Sequence, residues 1–380
     1  MKMKITSIAW MTVTALALGC HKPPPIGNKD LRDFKVVNLV ANNEEYHPQF
    51  IDSTLINGFG IAWSPSGIAW VNSVGGHASN LYDFTGIRLR DVKIPSPTDS
   101  VGGFPCGIVF SNNMGFKLSN GKSAIFLFSS FDGVISGWNG QAGNNAERLK
   151  APPRASYTGL AIAKNNGRPL IYAANFGQKR IDVWDTTFTR VVMPFNDPAL
   201  PDSYSPYNIQ AVGNYIFVVY GILATDRDPN PGHGVAGPGK GFVDVYTTDG
   251  ILVKRFASRG TLDLPWGVTA APASFLEDKD LSGGESVHGG SDRNGSDRNG
   301  SDIGDSVVLV GNFGDGRINV FTTEGRFLGQ LQSHHHVLEI EGLWALSFPP
   351  STSGVDPHRL YFSAGPDNEA DGVFGYLIKQ

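Results

Sequence analysis

A cluster of acidic side chains stands close to the end of the chain. Asp367, Glu369 and Asp371 supply three carboxylates within five residues, and Asn368 adds an amide oxygen between them. Oxygen ligands of this kind suit Ca²⁺ or another divalent cation, which takes about six to eight of them. The spacing does not match an EF-hand loop, so a metal or ligand site here needs further oxygens from other segments.

Other segments offer such oxygens at regularly placed positions. Asn175, Asn312 and Asp315 follow apolar runs, whereas Asn208 and Glu341 precede them. Together with the acidic cluster they form a candidate ligand or metal face, whose members are Asn175, Asn208, Asn312, Asp315, Glu341, Asp367, Glu369 and Asp371. The alternative is a local role, because Asn and Asp are common in turns, where they tolerate left-handed backbone and bond their own main chain.

The familiar catalytic signatures are absent from the sequence. It contains no Gly-x-Ser-x-Gly elbow, Walker loop, HExxH zinc motif or CxxC pair. His334, His335 and His336 cannot bind one metal jointly, because consecutive side chains of an extended segment point in alternating directions, and they predict a solvated loop. A formal net charge of −4 argues against a nucleic-acid partner.

The elements that must position these residues are short strands in a repeated unit. A Gly-rich turn and a strand with alternating apolar residues occupy 311–325, and the same arrangement recurs at 174–185 and 239–250. Weaker copies stand at 132–138 and 371–376. Such recurrence indicates a repeat protein.

Each of six units carries three strand-like phrases. The first begins with Gly or Asn and continues with small apolar residues, the second is a continuous apolar run, and the third is the turn with its alternating strand. The first phrases start at Gly60, Gly107, Gly159, Asn208, Gly267 and Gly342, at spacings of 47 to 59 residues and a last spacing of 75. These periods predict an all-β fold, a six-bladed β-propeller with four-stranded blades.

The predicted propeller covers residues 34–380. An N-terminal strand near 36–40 has no partner in its own unit, so we expect it to close the ring as the outer strand of the last blade. Insertions occupy 226–239 and about 277–304. The second contains a tandem Gly-Ser-Asp-Arg-Asn sequence with no apolar residue to bury, and it is predicted to be disordered.

Several longer motifs stand out beyond the repeat. They are Ile135-Ser136-Gly137-Trp138-Asn139, Pro265-Trp266-Gly267, and the segments 237–245, 311–318 and 364–372. These motifs resemble a family of exported bacterial proteins of uncharacterised function. The resemblance implies a six-bladed propeller of the broad type shared by NHL-repeat and gluconolactonase-like proteins. Gluconolactonase-like propellers bind a divalent metal at the central mouth through Glu, Asn and Asp, and here Asn208 and Glu341 stand at comparable positions.

The first twenty residues have the features of an export signal. Lys2 and Lys4 form a basic head, an apolar run follows over 5–18, and Gly19 precedes Cys20. The run is shorter than the about 20 apolar residues of a membrane span. It resembles a bacterial lipoprotein signal (1–20) with Cys20 as the lipid attachment site, followed by a tether over 21–33; a plain secretory signal is the alternative. Cys106 then has no partner and is expected in the core.

Two functional hypotheses follow from these patterns. The first is an exported, lipid-anchored binding or scaffold module, a monomer in the periplasm or at the cell surface, most simply an outer-membrane lipoprotein. Its loop face would bind an envelope protein, a glycan or a small molecule. The second is a metal-dependent, lactonase-like hydrolase, whose metal at the central mouth is held partly by Asn208 and Glu341 and activates water. The binding module is favoured because no complete catalytic constellation is present.

Overall fold

The computed structural model describes residues 31–227, 232–276 and 307–380. The predicted signal with Cys20, most of the tether and the insertion at about 277–304 lie outside these residues. The described chain is almost entirely β-structure, arranged as six antiparallel sheets around a central axis. None of the helices within these ranges combines the length and the apolar character needed to cross a membrane.

The first two strands belong to the end of the ring, and the next twelve form blades 1 to 3. The closing strands are β1 (Phe34–Ala41) and β2 (Phe50–Ile51). Blade 1 consists of β3 (Gly58–Trp63), β4 (Ala69–Ser73), β5 (Ala78–Tyr82) and β6 (Arg88–Lys93). Blade 2 consists of β7 (Pro105–Phe110), β8 (Phe126–Ser130), β9 (Ile135–Trp138) and β10 (Glu147–Lys150). Blade 3 consists of β11 (Tyr157–Asn165), β12 (Arg168–Asn175), β13 (Arg180–Trp184) and β14 (Arg190–Val191).

Blades 4 to 6 carry small additions to the four-stranded plan. Blade 4 consists of β15 (Tyr204–Val212), β16 (Tyr215–Leu223), the short added β17 (Gly234–Val235), β18 (Phe242–Tyr246) and β19 (Leu252–Ser258). Blade 5 consists of β20 (Pro265–Ala271), β21 (Val307–Asn312), β22 (Ile318–Thr322) and β23 (Phe327–Gln330). A hairpin of β24 (Gln332–Ser333) and β25 (His336–Val337) precedes blade 6, which consists of β26 (Leu343–Ser347), β27 (Leu360–Ala364), β28 (Val373–Lys379) and β1. Short 3-10 helices lie at Glu44–Tyr46, Phe176–Gln178 and Ala273–Leu276.

Burial along the strands follows the sequence pattern. Every residue of β8 and of β21, both second strands, is buried, as their continuous apolar sequences predict. The outer strands β6 and β19 are mostly exposed or half-buried, because only one of their faces packs against a neighbour. The repeated apolar runs therefore form the core between adjacent blades.

Equivalent hairpin turns use the same local chemistry in different blades. Oδ1 of Asp83 accepts hydrogen bonds from the N–H and the hydroxyl of Thr85, at 2.9 and 2.6 Å. Oδ1 of Asp185 accepts the same pair from Thr187, at 2.9 and 2.7 Å. Such Asx turns depend only on residues close together in the sequence. The repeat can therefore be recognised from the sequence.

Ring closure joins the two ends of the described chain. Strand β1 pairs antiparallel with β28, from Phe34 opposite Lys379 to Ala41 opposite Val373. This pairing confirms the predicted closure, and β2 adds a short parallel pairing outside β1. The closed six-bladed ring brings loops from every blade to one end of the central channel, which we call the mouth.

Candidate ligand site at the central mouth

One side chain from each blade closes the central channel. In each blade this side chain belongs to the innermost strand. In five of the six blades it directly precedes a small residue. We call the six residues the plug: Phe59, Cys106, Thr158, Tyr207, Trp266 and Trp344, all at most 5% exposed. The rings of Phe59 and Trp344 stack with centroids 3.8 Å apart, and Trp266 meets Phe59 edge-on at 5.1 Å. The channel is therefore filled by aromatic contacts at this level.

Beneath the plug, the inner strand of blade 4 carries Asn208 where the other five blades have a small residue. Its counterparts in the other inner strands are Gly60, Gly107, Gly159, Gly267 and Ala345. A side-chain carbon added to Gly159 would lie 2.1 Å from Oδ1 of Asn208, so the amide occupies the space that the glycine leaves. Nδ2 of Asn208 donates to the carbonyl of Trp266 at 2.8 Å. This layer lines a cavity of about 30 Å³, which holds about two water molecules.

Above the plug, the carboxyl group of Glu369 reaches the start of blade 1. Nδ2 of Asn57 donates to Oε2 of Glu369 at 2.6 Å, and Nε1 of Trp344 donates to Oδ1 of Asn57 at 2.8 Å. Oε1 of Glu369 has no hydrogen-bond partner among the described residues. A half-buried carboxyl group with one unsatisfied oxygen is thus held over the aromatic plug.

The pKa of Glu369 and those of two plug residues are linked. Burial raises the pKa of Glu369, and the hydrogen bond from Asn57 and the nearby His233 oppose that rise. Burial also raises the pKa of Tyr207 and of Cys106, and the charge of Glu369 raises both further. Glu369 therefore acts directly on two members of the plug.

The loop that presents Glu369 has a rare backbone conformation. Asp367, Asn368 and Glu369 have φ angles of 51°, 54° and 69°, three successive residues in the left-handed region. Non-glycine residues adopt this region only when the surroundings compensate for its cost. Oε1 of Glu341 accepts from the N–H of Asp367 at 3.1 Å, and the carbonyl of Gly365 accepts from the N–H of Glu369 at 3.2 Å.

Aromatic side chains from other blades pack against the plug beneath this carboxyl group. The half-buried ring of Phe313, from blade 5, stacks on Trp344 with centroids 4.0 Å apart. The half-buried ring of Phe131, from blade 2, meets Phe59 edge-on at 6.1 Å. His233, in the loop before β17 of blade 4, lies 6.1 Å from the ring of Phe131. His233 of blade 4 thus lies near Phe131 of blade 2 and acts on Glu369 of blade 6.

Asp132 supplies a second carboxyl group on the blade 2 side. Both of its oxygens are buried and have no hydrogen-bond partner of normal geometry. Burial raises its pKa to about 6, although backbone N–H groups and His77 oppose the shift. Nδ1 of His77 lies 3.1 Å from the carbonyl of Gly103. The mouth therefore holds two carboxyl groups, Glu369 and Asp132, that ionise less readily than ordinary ones.

Three of the predicted residues have local turn roles. Asn175 caps the 3-10 helix that follows it, accepting from the N–H of Gln178 at 3.2 Å and donating to Asp182 at 2.8 Å. Nδ2 of Asn312 donates to Asp315 at 2.9 Å, and Asp315 accepts from the N–H of Arg317 at 3.1 Å. Their polar atoms are used in positioning the loops.

The remaining predicted residues are separated by the fold. Asn208 lies below the plug, whereas Glu341 and Asp367 are exposed on the rim. Asp371 belongs to the ring closure, where Asn42 and the hydroxyl of Tyr46 donate to its two oxygens at 2.6 and 2.7 Å. These two hydrogen bonds are the main reason that the pKa of Asp371 lies below its usual value. Glu369 is the member of the predicted face that enters the mouth.

A divalent-metal site was one expectation for these residues. Within 31–227, 232–276 and 307–380, no group of three or more His, Cys, Asp and Glu side chains is arranged to hold a metal ion. Asn208 and Glu341, the pair expected to share a metal, lie on different sides of the plug. What the mouth offers instead is one carboxylate oxygen with aromatic faces and a histidine around it. That set can form an ion pair, accept a hydrogen bond or exchange a proton with a bound molecule.

Sequence reasoning missed most of the surroundings of Glu369. Asn57, Phe131 and His233 belong to no recognisable motif, and Asp132 is distinguished only as the first residue of the weak repeat copy at 132–138. The sequence does carry a signal for the plug. A bulky residue or a cysteine directly precedes the small residue of the inner strand, or Asn208 in its place, in Phe59-Gly60, Cys106-Gly107, Tyr207-Asn208 and Trp266-Gly267. In blade 6 the equivalent pair is Trp344-Ala345, so the first phrase there begins later than the predicted Gly342.

Comparison with solved structures supports the architecture. The structure of a streptogramin B lyase superposes with a TM-score of 0.50 and 13% sequence identity, covering 92% of this chain and 98% of that one. At this identity the similarity shows the fold alone, a six-bladed β-propeller. No family model matches the sequence.

Relatives at the sequence level come from a giant virus. The uncharacterized protein R648 of Acanthamoeba polyphaga mimivirus is 30% identical over 360 residues, covering 90% of this chain and 80% of the relative. The uncharacterized protein L690 of the same virus is also 30% identical, over 359 residues, covering 90% of this chain and 85% of the relative. The bacterial origin and the export expected from the sequence stay predictions. The chain belongs to the family of β-propeller proteins that includes these two mimivirus proteins.

Proposed function

We propose that the protein is a binding module that takes a small organic molecule at the central mouth, with Glu369 as its polar anchor. The observation that carries the proposal is the carboxyl group of Glu369: Asn57 holds one of its oxygens, and no residue that the structure describes donates to the other. Ligand sites are typically concave and apolar, with a few fixed polar groups. The mouth has this composition.

The rigidity of the surroundings supports a binding role. Trp344 holds Asn57, and Asn57 holds Glu369, so the carboxyl group is fixed through a chain of two hydrogen bonds. The plug beneath is close-packed, with stacked rings on both faces of Trp344 at 3.8 and 4.0 Å. A prearranged anchor over a rigid floor reduces the entropy that a ligand loses on binding.

The proposal is tested by fragment screening with ligand-observed NMR on the wild-type protein and on Glu369→Gln. The substitution keeps the size of the side chain and removes its charge, so we expect loss of the fragments that bind at the mouth. Glu324→Gln, on the exposed β22–β23 turn, is the matched control and should keep every hit. If Glu369→Gln retains all wild-type hits while remaining folded, the mouth is not the binding site.

We further propose that this module is exported and anchored by lipid at Cys20, as the sequence of residues 1–20 predicts. Support comes from the basic head, the short apolar run and the cysteine that follows it. The mass of the mature N-terminus, measured before and after deacylation of protein expressed in a bacterial host, is the test. A lipid-sized loss that is absent in Cys20→Ala supports the anchor, and an unmodified mature terminus contradicts it.

A further inference from the structure

The acidic groups of the mouth lack basic partners. Neither Glu369 nor Asp132 forms an ion pair with any described lysine or arginine, and the positive groups that influence them are His233 and His77 respectively. Glu341 and Asp367 add two exposed carboxylates on the rim. These carboxyl groups therefore favour a cation over an anion as the partner of Glu369.

The walls around Glu369 are aromatic rather than oxygen-rich. Phe131 and Phe313 are half-buried, so part of each side chain is exposed. A metal such as Ca²⁺ needs about six or more oxygen ligands, and one free carboxylate oxygen does not supply them. An organic cation needs a carboxylate for its charge and ring faces for its attached carbons, because the negative face of an aromatic ring attracts positive charge.

Asp132 adds a second carboxyl group on the blade 2 side, where backbone N–H groups and His77 compensate for its charge only in part. Both of its oxygens are shielded from solvent and lack donors of normal geometry, a condition that is rare in folded proteins without a bound partner. Its charge acts on the buried thiol of Cys106, as does that of Glu369. The two carboxyl groups thus both add negative potential at one residue of the plug.

From these relationships we infer that the ligand of the mouth is an organic cation, carrying an ammonium or guanidinium group that pairs with Oε1 of Glu369 between Phe131 and Phe313. The inference rests on the proposed binding function and specifies the class of molecule bound. The ammonium or guanidinium N–H groups would donate to the free oxygen while Asn57 continues to donate to the other. The cation would also lower the electrostatic cost of the charge on Asp132.

Benzylammonium and benzyl alcohol form a matched pair of probes, since they share a ring and a methylene group and differ in charge. Their dissociation constants for the wild-type protein are measured by NMR titration at neutral pH and low salt. We expect benzylammonium to bind about tenfold more tightly, the order of a charge-assisted hydrogen bond in a partly dry site. In Glu369→Gln this preference should disappear, while Glu324→Gln should keep it.

A second variant tests the aromatic walls separately. Phe313→Leu keeps an apolar side chain of similar size and removes the ring face, so benzylammonium should bind several-fold more weakly. Circular dichroism and melting temperature establish that each variant is folded.

The outcomes separate the inference from the proposed function. If benzyl alcohol binds as tightly as benzylammonium, or the preference persists in Glu369→Gln, the cationic ligand class is wrong while the mouth remains a binding site. If neither probe binds but a neutral or anionic fragment is lost in Glu369→Gln, the same conclusion holds. If no fragment of any charge binds at the mouth, both the inference and the proposed function fail.

Discussion

Asn57 and Glu369 lie 312 residues apart in the sequence and are joined by a hydrogen bond of 2.6 Å. Asn57 ends the loop that enters blade 1, and Glu369 belongs to the loop between the last two strands of the chain, so the bond crosses the seam where the ring closes. Asn57 has a φ of 51°, in the left-handed region that Asn tolerates better than most residues. One residue thus satisfies a backbone requirement of the closure and positions the carboxyl group of the mouth.

Replacing Asn57 with Asp should destabilise the protein. The substitution keeps the shape and the tolerance for left-handed backbone but removes the donor to Glu369 and places a second carboxylate against it. We expect a loss of about 1 to 3 kcal/mol in the free energy of unfolding, measured by urea denaturation at neutral pH. Asn113→Asp is the control, because Asn113 is exposed and has a similar φ of 55°. Equal losses in the two variants would contradict the role assigned to Asn57.

Binding of benzylammonium should weaken on acidification at a higher pH than an ordinary glutamate would cause. The pKa of Glu369 is raised, chiefly by burial, so its carboxylate gains a proton earlier as the pH falls and loses the ion pair. The titratable groups that face it are His233, Tyr207 and Cys106. Dissociation constants measured between pH 4 and pH 8 test this expectation. Benzyl alcohol is the control and should show little pH dependence over the same range.

Asp132→Asn should stabilise the folded protein at neutral pH. The folded-state pKa of Asp132, about 6, lies above its ordinary value of 3.8, so the folded protein retains a proton that the unfolded chain has lost. Stability due to this group is present at low pH and is lost as the pH rises towards 6. We expect a gain of about 1 kcal/mol at pH 7 after allowance for solvent screening, and a smaller gain at pH 4. Melting temperatures of the variant and the wild type across this range give the measurement; a gain that does not grow with pH would exclude a charged Asp132 as its cause.

Gly159→Ala should be strongly destabilising. The added carbon would lie 2.1 Å from Oδ1 and 2.9 Å from Cα of Asn208, and a close-packed inner layer cannot move to admit it. We expect a cost of about 1 to 3 kcal/mol. Gly140→Ala is the control, because an added carbon there meets no atom within 4 Å. The double variant Gly159→Ala, Asn208→Ala should cost less than the sum of its single substitutions, since the clash requires the amide.

Tyr46→Phe should weaken the ring closure. The change removes the hydroxyl that donates to Oδ2 of Asp371 at 2.7 Å and keeps the ring. A hydrogen bond to a carboxylate at a partly exposed site is worth about 1 kcal/mol, which should appear as a lower urea midpoint. Tyr215→Phe, at a tyrosine that is 41% exposed, serves as the control. A variant as stable as the wild type would show that the hydroxyl of Tyr46 contributes nothing to the closure.

The elements that the sequence predicted well are those that depend on near neighbours. The same turn is formed by Asp83 with Thr85 and by Asp185 with Thr187, and each pair is only two residues apart. Its recurrence therefore indicates the repeat. The continuous apolar run of β21 likewise reports that both of its faces are covered. The alternation in β22 was misleading, because that strand is buried along its whole length, including Asn319. Ring closure was accessible because one strand was left over once the units were counted.

The candidate site was predictable only in part, for a physical reason. The acidic residues around Glu369 predicted a site there. Asp371, two residues away, instead accepts hydrogen bonds from Asn42 and Tyr46 where the ring closes. Side chains on one turn can face different partners, and a sequence does not state which of them a distant segment will satisfy. Asn175 and Asp315 likewise bond to residues of their own loops, and Nδ2 of Asn312 donates to Asp315 and to the carbonyl of Thr261.

The sequence by itself determined the number of blades, their order and the strand that closes the ring, because hydrophobic alternation and turn chemistry act over a few residues. Only the tertiary structure decided what the centre of the ring contains. The plug takes one residue from each blade, and the mouth joins Asn57, Phe131, His233, Phe313 and Glu369 from five blades. Their proximity follows from closing the ring around one axis, and no local pattern records it.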